Sequence, residues 1–128
     1  MSYRIHIDGR FTLDRPLSVE HKVTLEKFAD ERHEGRGDPN YPWCQWVPNE
    51  DGTAIEYTED EISGYYVTEW LSEIVERFLR PWGYILNGRA TWHGEDIEDT
   101  DLGVIVARNN DVREANAIVT YPDPFAED

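Results

Sequence analysis

The chain has 128 residues, and 27 Asp plus Glu against 12 Lys plus Arg give it a formal charge of −15. With a mean hydropathy of −0.69, no run of about 18 apolar residues and no apolar core behind Met1, it is expected to span no membrane, to carry no signal peptide and to stay in the cytoplasm. A surface built to neutralise phosphates would have the opposite sign, so direct nucleic-acid binding is not expected, whereas a basic partner is.

The first segment alternates, with Tyr3, Ile5, Ile7, Phe11 and Leu13 on one side and Arg4, His6, Asp8, Arg10 and Thr12 on the other. That is the pattern of a half-buried strand, with a bend at Gly9. Pro16 ends it, and Ser18 is placed to cap a helix running to about Glu34, with Val19, Val23, Leu25, Phe28 and Ala29 as its apolar stripe. Residues 35–42, Gly-Arg-Gly-Asp-Pro-Asn-Tyr-Pro, read as a loop. Trp43–Val47 and Thr53–Tyr57 are strand formers joined by Pro48-Asn49-Glu50-Asp51-Gly52, whose Asp-Gly pair favours a hairpin.

The clearest periodicity follows. Val67, Trp70, Leu71, Ile74, Val75, Phe78 and Leu79 recur at helical spacing, and Glu73/Arg77 and Glu76/Arg80 form favourable pairs four residues apart. Pro81 and Gly83 are expected to stop this helix. Strands are then predicted at Tyr84–His93, with a kink at Asn87-Gly88, at Leu102–Arg108, and from Val112 to Tyr121 after a turn at Asn109-Asn110-Asp111. The order β-α-β-β-α-β-β-β predicts a single α+β domain over residues 1–121, an antiparallel or mixed sheet with two helices packed on one face, and a frayed tail at 122–128.

Five Trp, seven Tyr and four Phe distinguish the chain from an acidic disordered tail, so a packed core is expected. The single cysteine, Cys44, allows neither an internal disulfide nor a Cys-rich zinc site, which fits a reducing compartment. Trp70 belongs to the core stripe. Trp46 and Trp82, next to loops, are candidate anchors for a protein interface.

No catalytic fingerprint is present: there is no G-x-S-x-G, no glycine-rich phosphate loop and no helical His zinc motif, so the chain is not expected to be an enzyme or to need a cofactor. The Asp99-Thr100-Asp101 run fails as a calcium loop, because Val104 stands where the sixth-position Gly belongs and Asn110 where the twelfth-position Glu belongs. No metal site is expected. The four His are not at ligand spacings in sequence, although His6 and His93 could meet on the open face of the sheet, beside Arg4, Arg10 and Arg89.

Charge is unevenly spread. Residues 1–48 hold 8 acids and 7 bases, whereas residues 49–128 hold 19 acids and 5 bases. The excess concentrates in Glu56, Glu59, Asp60 and Glu61 before the second helix, and in Glu95, Asp96, Glu98, Asp99 and Asp101 after the fourth strand. These nine carboxylates are the candidate partner-binding residues, with Trp46 and Trp82.

The segments Trp43-Cys44-Gln45-Trp46-Val47-Pro48, Glu50-Asp51-Gly52-Thr53, Glu69-Trp70-Leu71, Pro81-Trp82-Gly83-Tyr84, Leu86-Asn87-Gly88 and Trp92-His93-Gly94-Glu95-Asp96 resemble a group of small acidic proteins encoded by bacteriophages and prophages. The likeness covers most of the chain and departs before Trp43, where the group has a longer insert. It implies a phage or mobile-element context, with no assigned chemistry, in a bacterial or archaeal host cell. In that context the expected function is inhibition of a host nucleic-acid enzyme, such as a restriction or CRISPR effector, by carboxylates that mimic DNA on a basic surface. The alternative expectation is an accessory or structural phage protein whose acidity serves solubility or assembly.

Overall fold

Strict alternation makes Ile5–Leu13 (β1) a two-faced strand. In the computed structural model, which describes residues 5–31, 44–58, 67–94, 102–117 and 122–125, β1 lies inside a six-stranded sheet. The other strands are Trp46–Pro48 (β2), Ala54–Tyr57 (β3), Leu86–Gly94 (β4), Leu102–Arg108 (β5) and Asp111–Asn116 (β6). Their order in space is β2-β3-β1-β4-β5-β6, and every pairing is antiparallel. With two helices on the sheet, the chain is a small α+β domain in the predicted element order.

The longest ladder joins β1 to β4, from Ile5↔Gly94 to Leu13↔Leu86. The glycines at the centre of this ladder permit close approach. Gly9 has φ +129° and Gly88 φ +147°, and a Cβ at either would come within 3 Å of backbone atoms on the facing strand. The turn that closes β2 and β3 uses Gly52 at φ +75°. There the Asp51 carboxylate accepts from the Thr53 hydroxyl and N–H, bonds that lower its pKa. Pro48 lies in β2 rather than in the turn, which an edge strand tolerates because its N–H is not needed by the ladder.

Helix α1 spans Val19–Ala29, and the Ser18 hydroxyl caps it by accepting from the His21 N–H at 3.1 Å. It is shorter than the periodicity predicts. Its buried face is also different, because Leu25 and Phe28 point inward while Val19 is 81% exposed. One turn before Leu25 the inner stripe is occupied by half-buried His21, so the two valines of the predicted stripe face outward.

The second helix, α2, runs through three consecutive pieces: α-helical Val67–Ile74, a π-helical turn at Val75–Leu79, and α-helical Arg80–Trp82. In the π-turn the Arg80 N–H reaches the Val75 carbonyl, one residue further back than an α-helix allows. Pro81, the next residue, has no N–H to continue the ladder, and the widened turn directly precedes it. The helix therefore passes Pro81 and ends at Gly83, which has φ +89°. The Gly83 N–H donates to the Arg80 carbonyl and the Tyr84 N–H to the Leu79 carbonyl, a Schellman stop.

Both helices cover the face that presents Phe11, Ile55, Leu86, Ala90 and Ile105, and these pack with Leu25, Trp46, Leu71, Ile74, Val75 and Leu79. Among the described residues no helix is long and apolar enough to cross a membrane. The loop at 35–42 and the end of the predicted last strand, at 118–121, lie outside the described residues.

Candidate functional site

Register fixes where the acidic stretches join the fold. β4 ends at Gly94 opposite Ile5, β5 begins at Leu102 opposite His93, and β3 ends at Tyr57 running in the same direction as β4. Tyr57 and Gly94, the last residues of β3 and β4 before the stretches 59–66 and 95–101, thus close strands that run in the same direction, and β5 starts beside the end of β4. Those stretches hold three and five acids, and no base. Glu59, Asp60, Glu61, Glu95, Asp96, Glu98, Asp99 and Asp101 themselves lie outside the described residues.

Glu56 has a different setting from the one its sequence neighbours suggest. It projects from β3 onto the open face of the sheet, is half-buried, and accepts from the Arg10 guanidinium at 3.3 Å. Its charge is locally compensated, so it is not a free member of an acidic patch. The same face gathers bases. Arg10 and Arg89 are directly opposed across β1 and β4, and Arg108 and Arg113 stand at outward positions of β5 and β6. Asp111 bridges to Arg113 at 2.9 Å, whereas Arg89 and Arg108 have no ion pair among the described residues. Like charges directly opposed across strands disfavour each other, and the Glu56 bridge relieves one member of the Arg10/Arg89 pair.

The two candidate Trp anchors separate. Trp46 is 0% exposed, packs edge-on against Phe11 and Tyr57, and donates its indole N–H to the Val67 carbonyl at 2.8 Å. It is a core residue and cannot anchor a partner from the surface. Its outward reading fails because Trp46 pairs with Tyr57, two residues from inward-facing Ile55.

Trp82 is half-buried at the end of α2 and stacks on the His21 imidazole, with ring centres 3.7 Å apart and planes 9° from parallel. The stack is held from below by Tyr84, whose hydroxyl lies 2.9 Å from His21 Nδ1 and accepts from the Ser18 N–H at 3.1 Å. The Tyr84 hydroxyl thus ties the N-terminus of α1 to the His21 ring. Arg15 lies 4.3 Å over the Tyr84 ring and donates to the Gly83 carbonyl at 2.9 Å. Sequence reasoning missed His21, Arg15, Ser18 and Tyr84 as one cluster. Only the Ser18/His21 cap spacing was visible, and nothing local links position 21 to positions 82–84.

This cluster offers an aromatic stack and a guanidinium, but no activated nucleophile: the Ser18 hydroxyl is engaged as a helix cap. Cys44 is 2% exposed, and burial pushes its thiol up to about 12, so it is an inert core group. Among the described residues no group of three His, Cys, Asp or Glu is placed to hold a metal ion. Comparison of the chain with protein-family models, curated proteins and solved structures finds no match.

Proposed function

We propose that the protein is a non-enzymatic inhibitor of the phage or mobile-element type that occupies the basic, nucleic-acid-binding surface of a host enzyme, with its base-free acidic stretches as the contact. The observation that carries this reading is that β3 and β4 run in the same direction into the two base-free acidic stretches, 59–66 and 95–101, while Arg10, Arg89, Arg108 and Arg113 lie on the open face. Segregated charge of this kind orients an encounter with a basic channel and speeds it, which a uniformly solvated acidic surface would not do. The resemblance to small acidic phage proteins supports the same direction. Trp82, half-exposed and stacked on His21, is an aromatic side chain open to such an interface.

The test is capture from host lysate on the immobilised full chain, identification by mass spectrometry, and a salt titration of the captured enzyme with wild type and with a charge-reversed variant at Glu95, Asp96, Glu98, Asp99 and Asp101. Reversal should weaken binding and flatten the salt dependence, because fewer ion contacts remain to be screened. If the variant binds as tightly as wild type across the titration, charge mimicry is wrong. Loss of solubility alone would favour the accessory-protein alternative.

A further inference from the structure

We propose that His6 and His93 form a two-histidine clamp for a divalent late transition-metal ion such as Zn²⁺ or Cu²⁺. The two residues are directly opposed in the β1/β4 ladder, both exposed on the open face, with ring centres 5.0 Å apart and planes inclined by 39°. Two imidazoles bound to one tetrahedral ion, each through a nitrogen at about 2.0–2.1 Å, have ring centres about 5 Å apart. The free spacing thus already matches the bound one, and closing on an ion needs rotation of exposed side chains rather than movement of the strands.

The backbone beneath the pair is the most extensively laddered part of the sheet, nine residue pairs long, so both Cα positions are held without the metal. Imidazole is the ligand that borderline ions prefer, and carboxylate-seeking ions such as Ca²⁺ have little use for it. The next outward residue on β1 is Asp8, on the diagonal from His93, where a carboxylate can orient a ligand ring through solvent. The opposed arginines Arg10 and Arg89 stand four residues further along each strand, about 13 Å away, beyond the screening length of ordinary buffers. With two ligands among the described residues, the remaining coordination positions are open to water or to a group brought by a partner.

Calorimetric titration of the intact chain with ZnCl₂ near neutral pH, repeated with excess Ca²⁺ present, tests the clamp. One ion should bind, insensitive to Ca²⁺. Removing either ring, His6→Ala or His93→Ala, should weaken binding by about tenfold or more, because the second contact is intramolecular once the first is made. The double variant should be little worse than either single one, and His21→Ala should bind as wild type. In wild type, the imidazole proton resonances of both residues should shift together on titration. The proposal is overturned if no ion binds, if Ca²⁺ displaces the signal to the acidic stretches, or if either single variant keeps wild-type affinity.

Discussion

Trp46 donates its indole Nε1–H to the carbonyl oxygen of Val67 at 2.8 Å, tying the three-residue edge strand β2 to the first residue of α2. A strand of three residues on an edge has few ladder bonds of its own, so its position depends on what its side chains bury. Trp46 supplies that burial between Phe11 and Tyr57.

Replacing Trp46 with Phe keeps an aromatic body, removes the donor and leaves a small void. The expected loss is about 1–3 kcal/mol in urea unfolding, and Trp46→Ala should cost about 3–5 kcal/mol. Trp46→Phe should also remove the most blue-shifted part of the native tryptophan emission. A variant as stable as wild type would mean that Trp46 is not a core residue.

A second prediction concerns the stack on α1. Tyr84→Phe removes the acceptor of the Ser18 N–H and the partner of His21 Nδ1 together, at an expected cost of about 1 kcal/mol. Because the two side chains share one bond, a double-mutant cycle of Tyr84→Phe with His21→Ala should show coupling of about 0.5 kcal/mol or more. Strict additivity in thermal unfolding would remove the hydroxyl–imidazole contact from the description.

How far such features can be read ahead depends on whether the determining contact is local. The alternation around Phe11 and the helical spacing from Val67 to Leu79 report period, which is local; the strand forms as the spacing predicts, and the helix does so over Val67–Ile74 before its π-helical turn. The Asn109-Asn110 turn and the Glu76–Arg80 bridge are local as well. By contrast, the order β2-β3-β1-β4-β5-β6 rests on pairings such as Phe11↔Ile55 that no short window contains. The inner stripe of α1 is not legible locally, because Val19 and Val23 are apolar while the contact that sets the helix face is His21 against the distant Trp82 and Tyr84. Trp46 and Trp82 were equivalent as residues beside loops, and only strand register separates a core indole from a half-exposed one. Similarly, the charge of the acidic stretches is plain in the sequence, but that β3 and β4 run into them in the same direction follows from the antiparallel register.

Asn109 and Asn110 provide a contrast within one hairpin. Both have positive φ, 51° and 73°, as a tight turn between β5 and β6 requires. Only Asn110 is buried; its side chain accepts from the Leu86 N–H at 2.7 Å and donates to the Tyr84 carbonyl at 2.9 Å. Asn109→Gly keeps the turn and should change stability by less than about 0.5 kcal/mol. Asn110→Gly also keeps the turn but leaves two buried backbone groups unpaired, and should cost about 2 kcal/mol or more. Equal effects of the two substitutions in denaturant titrations would contradict this division.

Cys44 makes stability depend on alkaline pH. Its thiol rises from an ordinary value of 9.0 to about 12, mainly because burial disfavours the thiolate, with a backbone hydrogen bond from Trp46 acting the other way. The folded-state value lies above the unfolded one. Its contribution is therefore fully present below about pH 9 and is lost as pH rises toward about 12, because unfolding then releases a proton. The slope in that window is about 1.4 kcal/mol per pH unit for this one group. Other groups titrate there too, so the informative quantity is the stability difference between wild type and Cys44→Ala. That difference should shrink steadily between about pH 9 and 11, as wild type alone loses the thiol contribution. In native protein at neutral pH, the thiol should react with a disulfide reagent only as fast as the core opens. A difference that stays flat with pH, or rapid labelling of the native chain, would place Cys44 outside the core.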